Sequence, residues 1–267
     1  MKIRLYNHMF LNDDASWIFM FLDQMKQLED FGLLDATEIV SITVLGNDKQ
    51  FKLYDEISSL YPKIETYKIP YGITSEELKL FTHYKGNISY TGKEGQKDFV
   101  FEVPTMKRFW DDSHTQDFYG LYYHAKGATA FPNWFKNGDN IPKFKNYFYW
   151  KKFLEWGCIE RWKDCVNALD AGNEVAGCNY NNHPVPHYSG NFFWFRSDYM
   201  KTLDDPSDSE WWRTSKPPYW LDRMLPEFWP LHEAKNIFNL HSPPDRLCSP
   251  NPGLYAETYE RKIYEKS

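Results

Sequence analysis

Apolar and polar positions along the chain first alternate and then recur at helical spacing. Lys2 to Asn7 alternates and predicts a strand, and Asn12-Asp13-Asp14 supplies helix-capping chemistry. Trp17, Ile18, Phe21, Leu22, Met25 and Leu28 then recur three to four apart until Gly32 offers a left-handed stop. Glu38 to Leu45, rich in β-branched residues and closed by Gly46-Asn47, predicts a second strand. The unit therefore closes as β-α-β, for which parallel strands and a right-handed crossover are the economical arrangement. Residues 48 to 61 predict a helix stopped by Pro62, and Lys63 to Ile69 a third strand. Thr74-Ser75-Glu76-Glu77 matches a capping box opening a short helix that fails near Gly86, and residues 86 to 98 read as a glycine-bearing loop or hairpin.

In the second half, Phe99 to Val103 leads to Pro104 at a first helical position. Phe118 to Tyr123 is an apolar run of strand length, the pattern of a strand buried on both faces, and it ends in His124-Ala125-Lys126-Gly127. Lys145 to Leu169 is broadly helical with a break expected at Gly157. Glu174 to Cys178 and Asn191 to Phe195 predict two more strands, with Ser197 capping a helix through Leu203. Beyond about Pro230, Pro243, Pro244, Pro250 and Pro252 predict an irregular tail. No internal repeat and no low-complexity segment interrupts the series, so the expected fold is α/β: a mostly parallel sheet flanked by helices, one domain whose second half carries insertions.

Composition narrows the function classes. The 267 residues carry 31 Lys and Arg against 37 Asp and Glu, a formal charge of −6 without a basic block, which argues against a dedicated nucleic-acid binder. Aromatic residues make up 19% of the chain, and Tyr and Trp keep a polar edge that suits hydroxyl-rich ligands such as sugars as readily as it suits a core. With a mean hydropathy of −0.67 and the N-terminal apolar run Trp17 to Leu22 stopped at Asp23, no membrane span and no signal peptide are expected. Cys158, Cys165, Cys178 and Cys248 lack zinc spacing; on a helix the first two lie about 10 Å apart along the axis, too far for a disulfide. Reduced core cysteines and a cytoplasmic location follow as expectations.

In open α/β sheets, ligands sit beyond the carboxyl ends of the strands. His124 and Lys126 belong there, with Gly127 allowing close backbone approach, and two cationic or donor groups at a crevice edge suit a diphosphate. His187-Tyr188-Ser189-Gly190-Asn191-Phe192-Phe193-Trp194 is a second dense cluster, in which His187, Ser189 and Asn191 offer polar groups around Gly190. His183 and His187 are four apart, but Pro184 and Pro186 forbid the helix that would align them on a metal. H-E-x-x-H, P-loop, G-x-G-x-x-G and G-x-S-x-G signatures are absent. As general bases, Glu227 in its aromatic setting leads, Glu102 comes second, and Asp198 and Asp222 follow.

The ordered series Phe101-Glu102-Val103-Pro104-Thr105-Met106, Tyr122-Tyr123-His124-Ala125-Lys126-Gly127, Leu169-Asp170 with Gly172, the His187–Trp194 run, and Glu227-Phe228-Trp229 resembles small glycosyltransferase-like proteins of bacterial surface-polysaccharide clusters and of large DNA viruses, including those of algae. The resemblance spans roughly residues 100 to 230. It implies a GT-A-like fold in which a Rossmann-type half, about 1–127, binds a UDP- or GDP-sugar and the remainder, about 128–267, binds an oligosaccharide or glycoprotein acceptor. Asn7, His8, His124, Lys126, Gly127, His187, Ser189, Gly190 and Asn191 would then meet the donor, with Lys126 and Glu227 catalytic and Tyr188, Trp194 and Trp229 on the acceptor side. The D-x-D metal motif usual for that fold is absent, so His124 and Lys126 are expected to neutralise the diphosphate without a strictly required divalent ion. A lectin-like protein that kept the fold and lost turnover is the alternative.

Overall fold

Strand β1 (Lys2–Phe10) is the third strand across a seven-stranded sheet in the computed structural model, which describes residues 1–13, 15–70, 102–125, 141–183, 185–206, 225–241 and 261–264. Helix α1 (Ser16–Asp30) follows, burying Trp17, Met20, Phe21, Gln24, Met25 and Leu28 at helical spacing, and Gly32 takes the expected left-handed conformation at φ 67. The expected cap is different: Ala15 precedes the helix at φ 58 with no side-chain cap, because Asn12 spends its amide on the Ser16 hydroxyl at 2.9 Å. After the short α2 (Leu33–Ala36), β2 (Ile39–Gly46) pairs parallel with β1. Helix α3 (Asp48–Ser58) opens with a complete capping box between Asn47 and Gln50 and ends well before Pro62; β3 (Ile64–Pro70) then pairs parallel with β2.

Helix α4 (Val103–Thr115) carries Pro104 in its first turn and leads into β4 (Phe118–His124), parallel to β1 on the side away from β2. The long helical pattern resolves into α5 (Ile141–Glu155), a π-turn over Trp156–Glu160 and α6 (Trp162–Asp170). Gly157 sits in that break, where a Cβ would come within 2.4 Å of the Cys178 sulfur. Strand β5 (Val175–Gly177), the hairpin pair β6 (Tyr180–Asn181) and β7 (His187–Tyr188), and β8 (Phe193–Arg196) follow. Ser197 does not cap the next helix, α7 (Ser197–Met200): it is the first helical residue, and its hydroxyl accepts the Phe118 amide at 2.9 Å. Short α8 (Leu225–Phe228) precedes β9 (Ile237–Asn239), and α9 (Arg261–Tyr264) lies near the end of the chain. The tail expected to be irregular therefore contributes an edge strand, β9 parallel to β5.

The sheet order is β3-β2-β1-β4-β8-β5-β9, with β8 alone antiparallel to its neighbours β4 and β5. This is an α/β fold with a mostly parallel sheet. Strand alternation divides the core in two: Leu5, Met9, Leu121 and Tyr123 pack with α1, α3 and α5, whereas Tyr6, Phe118 and Tyr122 pack with Met106, Phe109, Phe193, Phe195 and Trp229. Gly120 is needed at the centre of β4, since a Cβ there would lie 2.1 Å from the Phe195 ring. Cys158, Cys165 and Cys178 are free and buried, as read from their spacing; Cys248 lies outside the described residues. Among the described residues no helix is long and apolar enough to cross a membrane.

Candidate functional site

From β1 the chain crosses to β2 on one side, and β4 pairs on the other, so the strand order turns at the β1–β4 boundary; a ligand crevice is expected where two such crossovers part. His8 and His124 face each other in register at the carboxyl ends of these two strands. Two further pieces of chain meet them. Helix α4 brings its first turn, and the reversed direction of β8 brings the residues that precede it, with Phe193 beside Tyr122.

Glu102 is the hub. It stands one residue ahead of α4, where a short acidic or hydroxyl side chain usually caps the helix, yet it caps nothing of its own. One carboxylate oxygen accepts from Nδ1 of His124 at 2.5 Å, and the other accepts from the side-chain amide of Asn191. That carboxylate fixes the proton of His124 on Nδ1 and leaves Nε2 buried without a hydrogen-bond partner. The Tyr122 hydroxyl lies in the same field: burial pushes its pKa well up, and Glu102 adds to the rise. His8 shares a hydrogen bond of 2.9 Å with the Thr105 hydroxyl in the first turn of α4. Burial lowers its pKa to about 4, Glu102 opposing and His124 adding to the effect, so His8 is neutral at pH 7.

The loop from β7 to β8 is shaped by backbone as much as by side chains. Gly190 has φ 98, and a Cβ there would come within 2.5 Å of Leu154 on α5; Asn191 is itself left-handed at φ 58. Glu227 on α8, half-buried, accepts the Gly190 amide at 3.4 Å and so ties α8 to this loop. His187 donates from Nδ1 to the Val185 carbonyl at 2.8 Å, and its Nε2 accepts from the Ser189 hydroxyl at 3.0 Å. Those two residues satisfy one another, with His187 wedged edge-on against Phe228.

The structure thus gathers His8, His124, Asn191, Gly190 and Glu227 around Glu102. Asn7 points to the opposite face of β1, donating to Gln24 at 3.3 Å with its carbonyl oxygen unpartnered, so it does not share the crevice with His8. Lys126 and Gly127 lie outside the described residues, as does Asp222. The acceptor-side expectation for three aromatic residues is corrected by burial. Tyr188 is buried with its hydroxyl on the Phe238 carbonyl at 2.6 Å, Trp194 is buried with its indole on the Cys158 carbonyl at 2.8 Å, and Trp229 packs on Phe109 at 6.0 Å with no exposed surface. Three core side chains offer no face to a glycan. Asp198 is likewise spent, on Arg196. Thr105 joins the site without having been expected there; its place three residues after Glu102, in the first turn of a helix, is the signal the sequence offers.

Among the described residues no group of three or more His, Cys, Asp or Glu side chains is arranged to hold a metal ion. No protein-family model matches the chain, and no curated protein matches it. Among solved structures the chain is similar to the 4-diphosphocytidyl-2C-methyl-D-erythritol synthase of Anaerococcus prevotii DSM 20548, at TM-score 0.38 and 10% identity over 97% of this chain and 98% of that one. A likeness of that size carries no argument about activity.

Proposed function

We propose that the protein is a glycosyltransferase that moves a sugar from a UDP- or GDP-sugar to a glycan acceptor, an oligosaccharide or glycoprotein, by direct displacement with inversion. The reading is supported by one observation above all: His8, His124, Asn191 and the amino end of α4 converge at the strand-order switch, where a parallel sheet receives nucleotides. In this reaction the acceptor oxygen attacks the anomeric carbon, the bond from that carbon to the diphosphate oxygen breaks, and the nucleoside diphosphate departs with the electron pair. The acceptor proton passes to a base, for which Glu227 is the candidate beside the loop; Lys126, two residues past the end of β4 in the sequence, and His124 neutralise the departing charge.

Calorimetric titration with UDP, GDP, CDP and their sugar conjugates, each with EDTA and with Mn²⁺, tests the reading. Selective micromolar binding of one nucleoside diphosphate is expected, with turnover that survives chelation. Binding of free oligosaccharides with no nucleotide bound would instead make the protein a lectin, and turnover abolished by EDTA and restored by Mn²⁺ would require an acidic ligand set.

A further inference from the structure

Among the described residues, Nε2 of His124 is one of the crevice atoms without a hydrogen-bond partner, together with the Tyr122 hydroxyl. A buried ring nitrogen without a partner is costly, and unlike the core atoms in the same condition, such as the Trp17 indole nitrogen, this one lies at the carboxyl ends of the strands where a parallel sheet receives ligands. Its orientation is imposed from outside its own strand: Glu102, 22 residues earlier, holds Nδ1, and the same carboxylate holds Asn191, 89 residues later. One acidic side chain therefore fixes two groups from separate elements at a set spacing. Its position ahead of α4 also leaves the positive end of that 13-residue helix turned to the crevice.

We propose that Glu102 is a positioning residue that clamps His124 and Asn191 into one anion-receiving unit, in which Nε2 of His124 meets the terminal phosphate of a nucleoside diphosphate. This deepens the glycosyltransferase reading and rests on it. When Nε2 takes up a proton, the imidazolium has Glu102 behind it and the phosphate in front, so the cation is held by two anions and the ring cannot turn. Proton transfer to the leaving group is not needed: the phosphate oxygen accepts an Nε2–H hydrogen bond, and the charge it gains as the sugar bond breaks strengthens that bond. The His124 ring stands between Glu102 and the phosphate, and both carboxylate oxygens are engaged by His124 and Asn191 rather than by the ligand.

The test uses UDP and GDP as probes with the full chain. In Glu102→Gln the carboxamide accepts from one partner only, and nucleoside diphosphate affinity falls at least tenfold; Glu102→Asp keeps the charge and recovers part of the loss. Histidine-labelled protein reports the mechanism directly. In the wild type the His124 ring carries its proton on Nδ1, and added nucleotide shifts Nε2; in Glu102→Gln the Nδ1 preference is lost. Among the described residues, His8 on β1 and Tyr122 on β4 are titratable groups beside this ring and Glu227 on α8 acts on Tyr122, so His8→Gln and Glu227→Gln are titrated in parallel, and neither removes the Nδ1 preference. Unchanged affinity in a folded Glu102→Gln variant overturns the proposal while leaving the transferase reading intact. Wild-type protein that binds no nucleoside diphosphate overturns both.

Discussion

Two carboxylates, the buried Glu155 and the half-buried Glu102, sit on opposite faces of the sheet and gather their partners in opposite ways. Glu155, fully buried on α5, contacts Lys151 and Lys152 on its own helix and accepts from Gln27 of α1 at 2.9 Å. Asp23 of α1 takes the same two lysines, Lys151 at 2.6 Å and Lys152 at 2.9 Å. Burial pushes the Asp23 pKa up, but the lysines outweigh it and hold the group below its ordinary value. Two acids and two bases thus close on each other and lock α5 to α1. Around Glu102 the count does not close, since His124 keeps an open nitrogen. Oε1 of Glu155 accepts no hydrogen bond either, but the Lys151 ammonium lies against it, whereas Nε2 of His124 has no such charge beside it; the first cluster is also the more deeply buried, and only the second is proposed to meet a ligand.

The contrast can be broken most forcefully at Lys151. Lys151→Met leaves Glu155 and Asp23 short of a cation in a dry setting, and urea unfolding should show a loss of about 3–5 kcal/mol with unchanged nucleotide affinity in the molecules that remain folded. A parallel loss of affinity would mean that the two clusters are coupled. Acid probes the other side. His8 has a folded pKa near 4 against 6.5 unfolded, so between those values the unfolded chain binds a proton that the folded chain refuses. Its contribution is complete above pH 6.5 and falls by about 3 kcal/mol as the pH drops through 6.5 towards 4; His8→Gln should flatten that part of the stability profile. Glu102→Gln should cost about 2 kcal/mol in the same unfolding experiment, less than Lys151→Met, while its effect on nucleotide affinity is the larger. Asn47→Ala, which removes the α3 capping box and touches neither cluster, should cost about 1 kcal/mol and leave binding alone.

The sequence was most readable where one face decides the pattern. The Trp17–Leu28 stripe, the β-branched run of β2 and the doubly buried β4 were legible because periodicity reports burial directly. Short strands defeated it: β9 has three residues and earns its place only by pairing with β5, a partner some sixty positions away that no local window contains. At the site, His8, His124 and Asn191 could be named from strand ends and a glycine-flanked loop. Glu102 was weighed as a base because a lone carboxylate before a helix shows its charge in the sequence but not its partners, which arrive from β4 and from the approach to β8. Trp194 and Trp229 misled for the converse reason, since a ring's type does not tell whether it faces a sugar or the core.

Strand β8 runs against its neighbours, and this has a consequence for the order in which the chain assembles. As synthesis proceeds, β1 to β3 and β4 can pair as soon as they emerge, but the far edge of β4 waits for Phe193–Arg196 before its backbone groups are covered. That pairing closes a long loop and belongs among the slow, non-local steps of folding. Until it happens, a newly made chain exposes an aromatic strand edge of the kind that recruits other chains, and Glu102 and His124 stand ready without Asn191. The residues proposed to receive the ligand are therefore complete only after β8 has paired, and a chaperone that shields β4 during this interval would protect folding yield.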